Sequence, residues 1–122
     1  MKKSLTQLCV LVVDDQSESR ALLRNILSDI GINQIYEAQD GKTGLAFLDS
    51  SFDLIDVIMC DWNMPQMNGI DLLRQIRSTG ANTPFMMITG RSDKTSVVEA
   101  KSLGVNVYVR KPYSPTQIEA KL

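Results

Sequence analysis

The chain has no histidine. That absence removes Ser-His-Asp and Cys-His catalytic units, histidine-ligated zinc sites and any phosphohistidine carried by the chain itself. Cysteine is nearly as scarce. Cys9 and Cys60 form no CxxC pair and lie in apolar strand-like runs, which reads as buried, reduced and inert. An excess of one charge is missing too. Thirteen basic residues face fourteen acidic ones, for a net charge of −1, so direct nucleic-acid binding by this segment is not expected. No apolar run approaches a membrane span, and Met1-Lys2-Lys3 is followed by no signal-peptide core. The expected setting is the cytoplasm, with no membrane contact. What is present is ordinary: 122 residues, 43% of them hydrophobic, enough for one core and hence for a single domain spanning 1–122.

Two apolar runs end in acid. Leu8 to Val13 stops at Asp14-Asp15, and Val57-Ile58-Met59-Cys60 stops at Asp61. Unbroken runs of this kind are the pattern of strands buried on both faces of a parallel sheet. After Asp61 the chain passes Asn63, Pro65 and Asn68-Gly69, which are turn residues. Asp61 is therefore expected at the carboxyl end of a central strand, where open α/β sheets bind ligands. Taken alone, an aspartate there is equally well explained as a loop cap.

The rest of the chain alternates strictly. Ser17 reads as an N-cap for a helix carrying Leu22, Leu23, Ile26, Leu27 and Ile30 up to Gly31. Gln34–Ala38 is a short second strand. Asp40-Gly41 opens a helix with Leu45, Phe47 and Leu48 inward, and Ile55–Cys60 is the third strand. Gly69–Ser78 is the third helix, Phe85–Ile88 the fourth strand, and Ser92 caps a fourth helix reaching Leu103-Gly104. Val105–Val109 is the fifth strand. Ser114-Pro115-Thr116-Gln117 reads as a capping box for a final helix from Pro115 to Leu122. Five strand–helix units imply a doubly wound parallel sheet with helices on both faces.

In such a sheet all strand carboxyl ends lie along one edge, so Asp14, Asp15, Asp61, Thr89 and Lys111 can converge. Singly, each has a bland use in a cap, a turn or a solvated surface. Together they share a task, because two carboxylates about 4 Å apart repel by roughly 4 kcal/mol at an effective dielectric near 20. Three acids together would be costly unless a proton or a cation compensates. A hard divalent ion with few protein oxygens and several waters suits Mg²⁺ better than Ca²⁺. A cation beside an ammonium group leaves room for an incoming phosphoryl dianion, with Asp61 as its nucleophilic acceptor.

These residues carry a resemblance. Asp14-Asp15, Asp61-Trp62-Asn63-Met64-Pro65 with Gly69, Thr89-Gly90, Tyr108 and Lys111-Pro112 resemble the receiver domain of two-component response regulators, especially the single-domain chemotaxis regulators. The resemblance spans essentially the whole chain. It implies a flavodoxin-like sheet of order 2-1-3-4-5 and a phosphorylation-dependent switch that is a phosphoacceptor, not an enzyme with an external product. It also implies that Asp61 takes a phosphoryl group from a phosphohistidine on a sensor histidine kinase or histidine phosphotransfer protein. Mg²⁺ would be bound by Asp15, Asp61 and the Asn63 backbone carbonyl, and by Asp14 through water. Lys111, followed by a cis bond to Pro112, would pair with the phosphoryl oxygens, aided by Thr89 and the backbone N–H of Gly90. Thr89 and Tyr108 would relay the change to the face built from the fourth helix, fifth strand and fifth helix. The reader of that face would be a downstream effector protein or a fused output domain. Plain packing is the alternative for Tyr108.

Other residues stay closer to ordinary roles. Trp62 is expected to be partly exposed beside the site, the methionines to fill core and loops, and Asp53 and Asp56 to cap or turn. Arg91 is read as a solvated loop arginine in preference to a screen at the site entrance. Two rival families also use this edge. A haloacid-dehalogenase-like phosphatase needs an acid-x-acid motif, but the acids of Asp14-Asp15-Gln16 are adjacent. A flavodoxin-like electron carrier needs a hydroxyl-rich phosphate loop where two acids stand. The short last helix, closing at Leu122, reads as a domain excised from a longer regulator or hybrid kinase, with a compact stand-alone form as the alternative.

Overall fold

The computed structural model describes residues 3–122. A 3₁₀ turn at Leu5–Gln7 leads into β1 (Cys9–Val13), α1 (Ser17–Asp29), β2 (Gln34–Ala38), α2 (Gly41–Asp49) and β3 (Val57–Asp61). There follow α3 (Gly69–Ser78), β4 (Phe85–Thr89), α4 (Lys94–Ser102), β5 (Val107–Arg110) and α5 (Pro115–Lys121). All strand pairings are parallel, in the order β2-β1-β3-β4-β5. The fold is the flavodoxin-like one expected, and its order reverses between β1 and β3.

Strand alternation divides the core in two. Val10, Val12, Val57, Met59, Met86, Ile88 and Val109 point to one face, where Leu23, Ile26 and Leu27 of α1 and Ile118 of α5 cover them. Leu11, Val13, Ile58, Cys60, Phe85 and Met87 point to the other, under Leu48 of α2, Leu72, Leu73 and Ile76 of α3, and Ala100 of α4. Both cysteines are free and buried, and burial pushes the Cys60 thiol pKa up, which keeps it protonated.

Element ends depart from the sequence reading where tertiary contacts intervene. Leu22 is 56% exposed, because the buried stripe of α1 is Leu23, Ile26 and Leu27 and the next position round the helix turns outward. The N-cap of α1 is Gln16, not Ser17; the Asp14 carboxylate accepts from the Gln16 amide at 2.9 Å and closes the turn a residue early. Asp93, not Ser92, caps α4 by accepting from the Ser96 amide at 3.0 Å. β5 starts at Val107, since the Val105 amide is spent on the Ala100 carbonyl at the end of α4. β3 starts at Val57 and includes Asp61; Ile55 still belongs to the preceding turn, its amide on Ser51. Asp56 ties down the start of β1 by accepting from the Cys9 amide at 2.8 Å. The Ser114–Gln117 capping box is present as read.

Asp40 caps α2 through the Thr43 amide at 2.7 Å, and this bond holds its carboxyl below the usual carboxylate range. Losing such a cap costs about 1 kcal/mol. A carboxyl with a depressed native pKa stabilises above its unfolded pKa, and that stabilisation fades as the pH falls through the native value. Asp40→Ala is therefore expected to lower stability in urea titrations at pH 7 and to lose less against the parent chain in strong acid.

Candidate functional site

The carboxyl ends of β1, β3, β4 and β5 meet at one edge. The β1 ladder continues past its last residue, the Asp14 amide donating to the Ala38 carbonyl at 3.0 Å. Asp14 is 6% exposed, and Asp15 beside it faces solvent. One strand over, Asp61 lies at the end of β3 and accepts from the Trp62 amide at 2.7 Å. Carboxylate oxygens of Asp14, Asp15 and Asp61 all lie within 4.8 Å of one another.

Lys111 comes in from β5, its amide on the Thr89 carbonyl at 2.8 Å. Its Nζ stands 3.5 Å from Asp61 Oδ2 and 3.8 Å from Asp14 Oδ2, and 3.3 Å from Ser19 Oγ. The bond to Pro112 is cis. Burial raises the Asp61 pKa, Lys111 pulls it back and Asp14 adds to the rise. Three acids against one ammonium leave two negative charges over when all are ionised, the charge of one divalent ion. Hard oxygen donors on an open edge fit Mg²⁺. Among the described residues none donates to the Asn63 carbonyl or to the Asp15 carboxylate, so both stay available to a cation.

Thr89 is buried and its Oγ1 accepts from the Arg91 amide at 3.1 Å. Gly90 is exposed, and a Cβ there would meet nothing within 4 Å, so crowding is not what this position requires. Tyr108 packs against the core, and its hydroxyl donates to the Arg91 carbonyl at 2.7 Å.

One sequence reading needs correction and another needs an addition. Trp62 is 5% exposed, not partly exposed, because the loop after β3 doubles back and lays the ring in the core beside Ile70. Arg91 is an exposed loop arginine, as read, but it is not unpartnered. Its guanidinium lies 4.9 Å from the Trp62 ring centroid and donates to Asn63 Oδ1 at 3.1 and 3.3 Å, fastening the loop after β4 to the loop after β3. Sequence reasoning missed Ser19, which has no signature beyond its place on the first turns of α1. It also missed Gly41, whose amide donates to the Met67 carbonyl at 3.2 Å and braces the loop after β3 from below.

The model of the response regulator receiver domain matches residues 10–122. The chain belongs to that family. Receiver domains are phosphoacceptors with an acidic magnesium pocket, and the phosphatase and electron-carrier alternatives fall away. This receiver is 40% identical to chemotaxis protein CheY-3 of Vibrio cholerae over 115 residues, covering 93% of this chain and 87% of that one. It is 40% identical to CheY1 of Helicobacter pylori, covering 93% and 92%. Among solved structures it matches the CheX–CheY–BeF3–Mg complex of Borrelia burgdorferi with TM-score 0.89 and 26% identity, over 93% of this chain and 85% of that one. No helix of the described residues is long and apolar enough to cross a membrane.

Proposed function

We propose that this receiver is a CheY-type switch in which Asp61 accepts a phosphoryl group from the phosphohistidine of a sensor kinase or phosphotransfer partner. The observation that carries the reading is the gathering of three carboxylates and one ammonium group at a single sheet edge. The solved Borrelia burgdorferi relative, whose complex carries BeF3 and Mg, supports it.

In the transfer an oxygen of Asp61 forms the new P–O bond as the P–N bond to the partner's imidazole breaks, and the imidazole leaves with the electron pair. Asp15, Asp61 and the Asn63 carbonyl would hold Mg²⁺, with Asp14 acting through water, and the ion would supply positive charge against the phosphoryl oxygens. Lys111 lies on the Asp61 side of the cluster and pairs with the arriving oxygens. Gly90 offers its backbone N–H to the same group.

Arg91 links the two switch residues, since its amide donates to Thr89 Oγ1 and its carbonyl accepts from Tyr108. When Thr89 turns to the phosphoryl group, that amide loses its acceptor, and the loop holding Tyr108 shifts with it. The face of α4, β5 and α5 then presents a different surface to a downstream effector or an attached output domain.

The test is incubation with acetyl phosphate or a phosphorylated histidine domain, followed by intact mass and hydroxylamine treatment. The expected product is one phosphoryl adduct that forms only with Mg²⁺ and is cleaved by hydroxylamine, as an acyl phosphate is. An adduct formed equally in chelator, or one resisting hydroxylamine, would overturn the reading.

A further inference from the structure

We propose that Arg20 is a positioning residue for the cation site, acting through the main chain of Asp14. The inference rests on the magnesium reading above. Arg20 Nη1 donates to the Asp14 carbonyl at 2.6 Å, while its Nε donates to Glu37 Oε1 at 3.0 Å. The side chain is only 20% exposed, and Glu37 is shared with Arg24, whose Nε lies 3.4 Å from Oε2. So the guanidinium bridges the acidic turn after β1 to the neighbouring strand β2.

The carbonyl it grips belongs to the peptide joining Asp14 to Asp15. That unit is planar, so holding its oxygen fixes the direction in which the chain enters Asp15. Asp14 has other restraints, at its amide on Ala38 and at its Oδ1 on the Gln16 amide. No described residue bonds the exposed carboxylate of Asp15, so its aim is set by the two peptides that flank it. Arg20 clamps the one before it, and the Gln16 amide on Asp14 Oδ1 holds the one after it.

Charge and orientation predict opposite signs, which makes the idea testable. A cation beside an acidic cluster opposes Mg²⁺, so removing it by charge alone tightens binding. Removing a clamp that aims a ligand loosens binding; outer-shell partners of metal ligands are typically worth about 10–100-fold in affinity. Glu37, by neutralising the guanidinium, lets the clamp sit near the acids at reduced electrostatic cost.

The experiment is Mg²⁺ titration of the whole chain by calorimetry, with the fluorescence of the single tryptophan, Trp62, as a second readout. Arg20→Met, which keeps the apolar stem, is compared with Arg24→Met, which removes a charge from the same carboxylate without touching Asp14. Melting without Mg²⁺ checks the fold of each. The expected result is Mg²⁺ binding weakened by roughly tenfold or more in Arg20→Met, against unchanged or slightly tighter binding in Arg24→Met. Equal or tighter binding in Arg20→Met overturns the positioning role. If the parent chain itself takes up no Mg²⁺, the magnesium reading has failed instead. Should Arg20→Met not fold, Arg20→Gln, which keeps a polar end at that surface, is judged by the same criteria.

Discussion

Asp61→Asn is expected to abolish phosphoryl transfer and, without Mg²⁺, to make the protein more stable. The first effect follows from losing the only carboxylate at the end of β3, which stands 3.5 Å from Lys111; a neutral amide is not a competent nucleophile for the phosphoryl group. The second follows from the raised pKa of Asp61, caused by burial and opposed by Lys111. A carboxyl whose native pKa lies above its unfolded value contributes stability in acid, below the unfolded pKa, and loses it as the pH rises through the native value. Above that native value the parent chain carries the cost. The open edge screens it, so the gain from asparagine is of order 1 kcal/mol. It should shrink as the pH is lowered into the carboxylate range.

Mg²⁺ should reverse the order. Binding to the native state alone stabilises by about 2.7 kcal/mol at a hundredfold excess over Kd, and the asparagine variant binds less well. Chemical denaturation at pH 7 and in acid, each with Mg²⁺ and with chelator, checks all the signs at once. An asparagine variant that is less stable than the parent in chelator would contradict the charge argument, and one that still takes up a hydroxylamine-labile phosphoryl group would contradict the nucleophile.

Gly69→Val should be strongly damaging although it removes no charge. Gly69 is buried at the start of α3, and its amide donates to the Trp62 carbonyl at 2.8 Å. A Cβ there would be driven into the Asp61 carbonyl and would press on the Met87 sulfur and the Trp62 Cα, both at 3.0 Å. Two of those three neighbours are backbone, which cannot rotate away. Overpacking of this sort typically costs about 1–3 kcal/mol, and a branched side chain reaches the top of that range or beyond. Whatever yields moves the residue that carries the nucleophile, so any folded fraction should also label poorly. Gly90→Ala is the contrast: with open space around it, stability should change by no more than about 0.5 kcal/mol. Urea titration of both variants measures the difference, and similar losses would remove the packing argument.

The parts legible in sequence were those written in local pattern. Apolar runs cut off by a polar residue placed Asp14, Asp61 and Thr89 at strand ends, and the capping box at Ser114 was read correctly because both partners lie within four positions. What escaped depends on distant pairing. The Arg20–Glu37 contact spans 17 positions and Arg91–Asn63 spans 28, and periodicity does not encode either. The burial of Trp62 was hidden for the same reason, since a turn-rich segment gives no sign of folding back on the core. Leu22 failed differently: helical spacing finds a stripe, and a residue one step off the stripe still looks apolar.

β1 and β3 are hydrogen-bonded neighbours, Val13 opposite Cys60, and neighbouring strands stand about 4.8 Å apart. The gauge of the acidic cleft is therefore set by peptide geometry, a quantity mutation cannot stretch. Outer helix surfaces have no part in that gauge and are free to diversify. One invariant chemistry can thus be fitted with many different readouts, much as a standard thread accepts any cap.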